Sequence, residues 1–179
     1  MADPIAEKMQ QGVDEGVFPG AVLLVSRKGR TVHHAAYGQA CLLPNREPAT
    51  CGTIYDLASL TKPIATATAA AFLVADGKLG LDDPLERYVP ELTQDGLRKA
   101  TIRHLLNHTA GLPAWRPLYE RIVPDGRKLH EQSLSDRRAA IYNAIHREPL
   151  TEPVGSRCVY SDLGFILLGE ILERVTKQE

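Results

Sequence analysis

Ser59-Leu-Thr-Lys62 stands directly before a nearly all-apolar run, and Tyr160-Ser-Asp162 stands before a second one, 101 residues after Ser59. These residue types suit acyl transfer. A serine hydroxyl is a poor nucleophile until a neighbour takes its proton and something stabilises the oxyanion that follows. Residues i and i+3 of a helix share a face, so Ser59 and Lys62 can point into one cleft. A helix start adds unpaired N–H groups and the positive end of the macrodipole, both suited to developing negative charge. Six Ser and seven Lys give a chance Ser-x-x-Lys in roughly one such chain in four, so the motif draws its weight from its surroundings.

The run Pro63–Ala75 reads as a helix with Pro63 in its first turn, where a missing N–H costs little, and Asp76-Gly77 as its stop. Its small apolar residues go round the whole helix, which predicts burial on several sides. A plain alternative is a buried helix that Ser59 merely caps, with Lys62 solvated. Upstream, Ala21–Ser26 and Thr31–Tyr37 read as strands joined by a turn at Lys28-Gly29, and Thr53–Tyr55 as a short third strand. Downstream the chain reads as helices. Asp83-Pro84 opens a short one through Leu85, Tyr88 and Val89, and Thr101 caps Ile102–Asn107. Ser133 or Ser135 starts another, with Ala140, Ile141, Ala144 and Ile145 on one face. The linkers are Leu43–Gly52 and Leu112–Lys128. The second is expected to be functional, since it carries Trp115 and Tyr119 among polar neighbours. The alternative for Trp115 is packing beneath that loop.

These residues together resemble the serine β-lactamase and penicillin-binding protein superfamily, most closely its class C-like branch, which also contains carboxylesterases and D-aminopeptidase-type enzymes. The resemblance runs through Val17–Val25, Tyr37-Gly38, Ala58-Ser-Leu-Thr-Lys-Pro63 and Gly77–Leu85. It continues in Ile102-Arg-His-Leu-Leu-Asn-His-Thr-Ala-Gly-Leu-Pro113 and Tyr160–Gly169. It implies an α/β (α+β) fold of the β-lactamase/transpeptidase type, an antiparallel sheet flanked by helices plus an all-helical subdomain. Residues 1–76 would be the N-terminal part of the α/β domain. Residues 77–179 would form the mostly helical subdomain carrying Tyr160-Ser-Asp162.

By that resemblance Ser59 is the acylated nucleophile, Lys62 its partner, and Tyr160 the residue that serves as, or assists, the general base. The loop beyond Gly-Leu-Pro would border the cleft, with Trp115 and Tyr119 supporting substrate. Asp162 lies where many members have Asn. Asn can donate to a substrate carbonyl, whereas an ionised Asp only accepts. Near Lys62 it favours the charged ammonium, which leaves Tyr160 as the better base and weakens recognition of a β-lactam's amide side chain. Reading Ser161-Asp162 as the start of a Ser-Asp-Asn motif fails at Leu163.

The family's third motif, Lys-Thr-Gly or His-x-Gly on a late strand that supplies a second oxyanion-hole N–H, occurs nowhere after Tyr160. The chain is therefore expected to lack the C-terminal strands. They would come from the rest of the polypeptide, another chain or a second copy. A two-stranded hairpin is marginal alone, and its edge is open to pairing. The helix after Asp162, with Leu163, Ile166, Leu167, Leu168, Ile171, Leu172 and Val175, is expected to be only partly covered.

Net charge is −1 and 44% of residues are hydrophobic, enough for a sizeable core. Dispersed Lys and Arg give no reason to expect nucleic acid or an anionic membrane as partner. No stretch is expected to approach the length of a membrane-spanning helix. Met1–Lys8 lacks the pattern of a secretory signal. This points to a cytoplasmic protein, or to a periplasmic or extracellular one whose signal has been removed. Cys41, Cys51 and Cys158 read as free thiols, with a Cys41–Cys51 bridge as the alternative. His33 and His34 point to opposite strand faces, and His104 and His108 lack a supporting carboxylate. No metal or other cofactor is expected, and His108 is assigned a local bond to loop backbone.

The expected partner is a small-molecule acyl substrate. Two function classes remain. One is a serine hydrolase forming an acyl-enzyme on Ser59 and cleaving an ester, amide or β-lactam. The other is a catalytically incomplete fragment or inactive relative that binds without turnover. A Ser-His-Asp triad lacks its Gly-x-Ser-x-Gly elbow.

Overall fold

A computed structural model describes residues 3–121 and 132–178. The chain divides into two compact units, Met1–Leu57 and Ala58–Glu179. The division falls before Ser59 rather than after Asp76, because the serine-bearing helix packs into the helical core through Ala70 and Leu73.

The first unit is a helix and a small antiparallel sheet. Helix α1 (Pro4–Asp14) starts at Asp3, whose carboxylate accepts the Ile5 N–H, with Pro4 in the first turn. Strands β1 (Gly20–Arg27) and β2 (Arg30–Cys41) pair in the register Ala21↔Tyr37, Leu23↔Ala35 and Val25↔His33. Lys28 and Gly29 both take left-handed backbone (φ 51 and 75), as the tightest hairpin turns require. A side chain at Gly38, also left-handed, would strike the Pro19 carbonyl. His33 Nε2 is 2.8 Å from the Tyr37 hydroxyl and its Nδ1 is 3.4 Å from Asp3, so the ring ties the hairpin to the cap of α1.

The third strand is not Thr53–Tyr55. It is β3 (Glu47–Pro48), which pairs with Gln39 and Cys41. Thr53 instead turns its hydroxyl onto the Thr50 N–H, a local bond that competes with strand formation. All three cysteine thiols are free.

In the second unit, helices α2 (Thr68–Ala75), α3 (Asp95–Lys99), α4 (Ile102–Leu106), α5 (Leu118–Arg121), α6 (Leu134–His146) and α7 (Asp162–Thr176) gather one core. Leu85, Leu97, Ile102, Leu105, Ile145, Leu167, Leu168 and Ile171 are fully enclosed in it. Burying each such side chain contributes roughly 1.5–3 kcal/mol. Thr101 precedes α4, and the His104 ring at its third position accepts the Thr101 N–H at 3.0 Å. Ser133 caps α6 by accepting the Asp136 N–H, and Ile141, Ala144 and Ile145 face the core. The segment after Asp83-Pro84 is only a 3-10 turn, Leu85–Arg87. Asp83 does not cap it. Its carboxylate accepts from the Tyr88 hydroxyl, Gly80 N–H and Arg87 instead.

Two expectations about burial separate here. Helix α7 is well covered, with Leu163, Leu167, Leu168, Ile171 and Leu172 all buried. Helices of its own unit, α4 and α6 among them, do the covering, so no strand is needed there. The helix from Lys62 to Ala75 is not buried on several sides. Ile64 and Phe72 are 57% and 69% exposed, and within α2 only Ala70 and Leu73 are buried. The helical run Ala58–Ala75 spans 18 residues at mean hydropathy 1.3. By length and composition alone it could cross a membrane, which corrects the expectation that no stretch comes near that size. Its Lys62 ion pair and its two core residues instead tie it to the helical unit.

Candidate active site

The nucleophile helix does not begin as an α-helix. Ala58–Leu60 form a 3-10 turn, Lys62–Ala67 a π-helical stretch, and α2 follows from Thr68. Pro63 has no N–H with which to close an α turn onto the Ser59 carbonyl, and the Thr68 hydroxyl donates to the Pro63 carbonyl at 2.8 Å. Wide turns of this kind are rare and recur at functional sites. Ala58 holds left-handed backbone (φ 44), a conformation that costs a non-glycine residue about 1–2 kcal/mol. The strain therefore sits directly before the exposed Ser59.

Lys62 is the hub. Its Nζ donates to Ser59 Oγ at 3.4 Å and to Asp162 Oδ1 at 2.6 Å. It also lies 4.9 Å from the centre of the Tyr160 ring and 5.9 Å from that of Phe165. The Lys62 side chain is 15% exposed and that of Asp162 is 42% exposed. Burial alone would lower the lysine's proton affinity. Hydrogen bonds to Asp162 and Tyr160, with their charges, outweigh it and hold the ammonium above its usual range. Lys62 is thus a cation, not a free base. Tyr160 moves the other way. Its hydrogen bond with Ser59, then its bond to Lys62 and that residue's charge, pull the phenol below the ordinary tyrosine range.

The tyrosine reaches this position because its segment is fastened to the loop after α4. Val159 N–H donates to the His108 carbonyl, Ser161 N–H to His108 Nδ1, and Asp162 N–H to the Ala114 carbonyl. Ser161 Oγ donates to the Pro113 carbonyl at 2.7 Å and accepts the Gly164 N–H, so the serine is a buried helix cap with no free hydroxyl. The loop bends at Gly111 (φ 78), where any side chain would strike the Glu152 carbonyl. Arg116 Nε donates to the buried Glu148 at 2.6 Å and braces the same loop.

The structure thus gathers Ser59, Lys62, Tyr160 and Asp162. Trp115 follows the anchoring Ala114 and is 55% exposed, so it does not pack beneath its loop. Tyr119, in α5, is likewise exposed. Neither enters the hydrogen-bonded cluster. The part of the loop at residues 122–128 lies outside the described residues. Phe165 carried no sequence signal beyond its place in Tyr160–Gly169, and His108, expected to bond the backbone of its own loop, accepts the N–H of Ser161 fifty-three residues away instead. Among the described residues, no group of three or more His, Cys, Asp or Glu converges as a metal site would require. A hollow of about 590 Å³ in the first unit, lined in part by Gln10, Phe18, Gln39 and Arg46, contains none of the candidate residues.

Known proteins resemble this chain along nearly its whole length. The beta-lactamase family model matches residues 5–179. The chain is 36% identical over 182 residues to "Putative D-alanyl-D-alanine carboxypeptidase" of Escherichia coli (strain K12), covering 95% of this chain and 40% of that protein. It is 37% identical over 178 residues to Esterase EstB of Burkholderia gladioli, covering 94% and 44%. Among solved structures, EstCE1, described as a hydrolase with promiscuous acyltransferase activity, aligns with TM-score 0.69 at 32% identity over 97% of this chain and 46% of its own. A class C beta lactamase aligns with TM-score 0.72 at 25% identity, over 98% and 44%. The chain spans about two-fifths of the length of the curated relatives it matches.

Proposed function

Because this chain belongs to the beta-lactamase family, we propose that the protein is a serine hydrolase that is acylated on Ser59 and prefers short-chain esters to β-lactams. One observation carries the reading. A single lysine ammonium bonds both Ser59 Oγ and Asp162 and lies 4.9 Å from the centre of the Tyr160 ring, whose phenol is held below the ordinary tyrosine range by Ser59 and then Lys62. Tyr160, as phenolate, takes the Ser59 proton while Oγ bonds to the substrate carbonyl carbon and the carbonyl pair moves onto oxygen. In this reading the Ser59 N–H receives that charge, as the family resemblance implies. Collapse expels the alkoxide, which takes the proton from Tyr160. A water then gives its proton to Tyr160 and attacks the acyl carbon, and Ser59 leaves with that proton. Lys62, cationic throughout, stabilises the phenolate.

The substrate preference rests on Asp162. An acceptor held by Lys62 offers no donor to the acylamino carbonyl of a β-lactam, whereas a simple ester has no such group. The names of the relatives include an esterase, a carboxypeptidase and a class C beta lactamase, and Asp162 is the side chain on which the ester preference rests. The test is exposure of the full-length protein to a fluorophosphonate, read by intact mass. A single adduct that disappears in Ser59→Ala is expected. A wild-type protein that stays unmodified would instead favour a relative that binds without turnover.

A further inference from the structure

His108 meets Tyr160 in three ways. Its carbonyl accepts the N–H of Val159 at 2.9 Å, and its Nδ1 accepts the N–H of Ser161 at 3.1 Å. Those bonds grip the residues on either side of the tyrosine. The imidazole also lies against the phenol, ring centres 4.6 Å apart and planes tilted by 40°. Its flank meets Phe165 at 5.0 Å, the ring that also lies beside Lys62. A main-chain conformation that residues other than glycine seldom adopt (φ 60) aims carbonyl and ring at the same segment. Such an outlier persists only where its surroundings enforce it, and it often marks a working site.

We infer that His108 is the positioning residue for Tyr160: it clamps the backbone on both sides of the tyrosine and buttresses the phenol ring in reach of Ser59 and Lys62. The inference rests on the reading of Tyr160 as the base. The geometry also fixes the chemical form of the histidine. Nδ1 receives a backbone N–H, so it carries no proton, and the neutral ring holds its proton on Nε2. Burial, and then the nearby Lys62 charge, keep the ring neutral by holding its proton affinity below the usual histidine range, against the opposing pull of Asp162. A protonated ring would give up the Ser161 bond and put a second cation beside Lys62.

Asn is the discriminating replacement. Its Oδ1 sits as many bonds from the main chain as Nδ1, accepts the same N–H and tolerates left-handed backbone, but brings no ring. The experiment uses the full-length protein with p-nitrophenyl butyrate, comparing His108→Ala and His108→Asn with wild type and in the Tyr160→Phe background. Displacing a reacting group by about 1 Å costs on the order of 10²-fold. His108→Ala should therefore lower kcat/KM by roughly 10–100-fold in the wild-type background and by less than about 2-fold when Tyr160 is already Phe, because its effect passes through the phenol. His108→Asn, which restores the Ser161 bond but not the ring, should recover part of the loss, and a folded His108→Asn protein no better than His108→Ala would overturn the clamp.

A second readout needs no turnover. In protein labelled with ¹³C at tyrosine Cζ, the Tyr160 resonance, identified by its loss in Tyr160→Phe, should titrate at higher pH in His108→Ala. Equal losses in both backgrounds, or a Tyr160 titration unmoved in a folded His108→Ala protein, overturn the inference. Should Tyr160→Phe itself keep the wild-type rate, the base assignment fails and the titration alone decides what His108 does.

Discussion

Lys62 Nζ and Asp162 Oδ1 stand 2.6 Å apart although one hundred residues separate them in the chain. The pair joins the two halves of the candidate site and helps hold Lys62 in its charged form. The cation cannot take the Ser59 proton, and the carboxylate cannot donate to a substrate carbonyl.

Substituting Asp162→Asn restores a donor and removes the partner of Lys62. The ratio of nitrocefin to p-nitrophenyl butyrate turnover should rise by about tenfold or more, well short of what a buried polar contact gives because the Asp162 side chain is 42% exposed. Wild type should hydrolyse the ester faster. Comparable turnover of both by wild type would remove Asp162 as the selectivity determinant.

Tyr160→Phe should slow acylation by about 10²–10⁴-fold, the range expected for loss of a general base. Lys62→Ala should cost a similar factor, because after Ser59 the lysine is the group that lowers the tyrosine's proton affinity. Combined, the two should cost little more than either alone. Stopped-flow acylation rates multiplying in the double variant would show that the residues act separately.

The pH dependence has a definite sign. Tyr160 is held below the normal 10.0, so the phenolate, and with it the acylation rate, should grow as pH rises through a limb lying below 10. Lys62 is held above 10.5, so its charge is intact below that pH and the alkaline decline should begin beyond it. Stability follows the same signs. The lysine's contribution is present below 10.5 and is lost as pH rises through its folded value; the tyrosine's is complete above 10.0 and is lost as pH falls through its own. Profiles of kcat/KM for wild type and Tyr160→Phe check this, since only the former should show the lower limb.

Adjacent residues of α2 should behave oppositely in denaturant unfolding. Leu73, 8% exposed and part of the core, should cost about 2–5 kcal/mol as Ala. Phe72, pointing outward, should cost under about 0.5 kcal/mol as Ser. A large loss at Phe72 would mean that this face is covered in solution.

Much of the site was legible because its chemistry is local. Ser59 and Lys62 stand one turn apart, and Tyr160 stands at the mouth of an apolar run. The hairpin was legible for the same reason, since Lys28-Gly29 names its own turn. The partnership of Lys62 with Asp162 and Tyr160 was expected only through the family resemblance, and other partnerships over distance were not legible. An apolar helix does not announce what will cover it, so α7 looked short of partners until the other helices of its unit enclosed it, and the helix before Asp76 looked more buried than it is. Glu170, which nothing in the sequence singled out, is buried against His146 and Arg174. His108 read as a loop histidine because the backbone it serves lies more than fifty residues away.

The widened coil from Lys62 to Ala67 carries an implication for heredity. A π turn amounts to an α-helix into which one residue has been inserted. Because the wide turn absorbs that extra residue locally, loss of a single codon there would leave a more regular helix with Ser59 and Lys62 still facing Tyr160, whereas the same loss within Thr68–Ala75 would swing everything upstream about 100° around the axis. There Ser59 and Lys62 would turn away from Tyr160. A lineage under selection for catalysis should therefore accept a change of length in the wide turn more readily than in the regular helix after it.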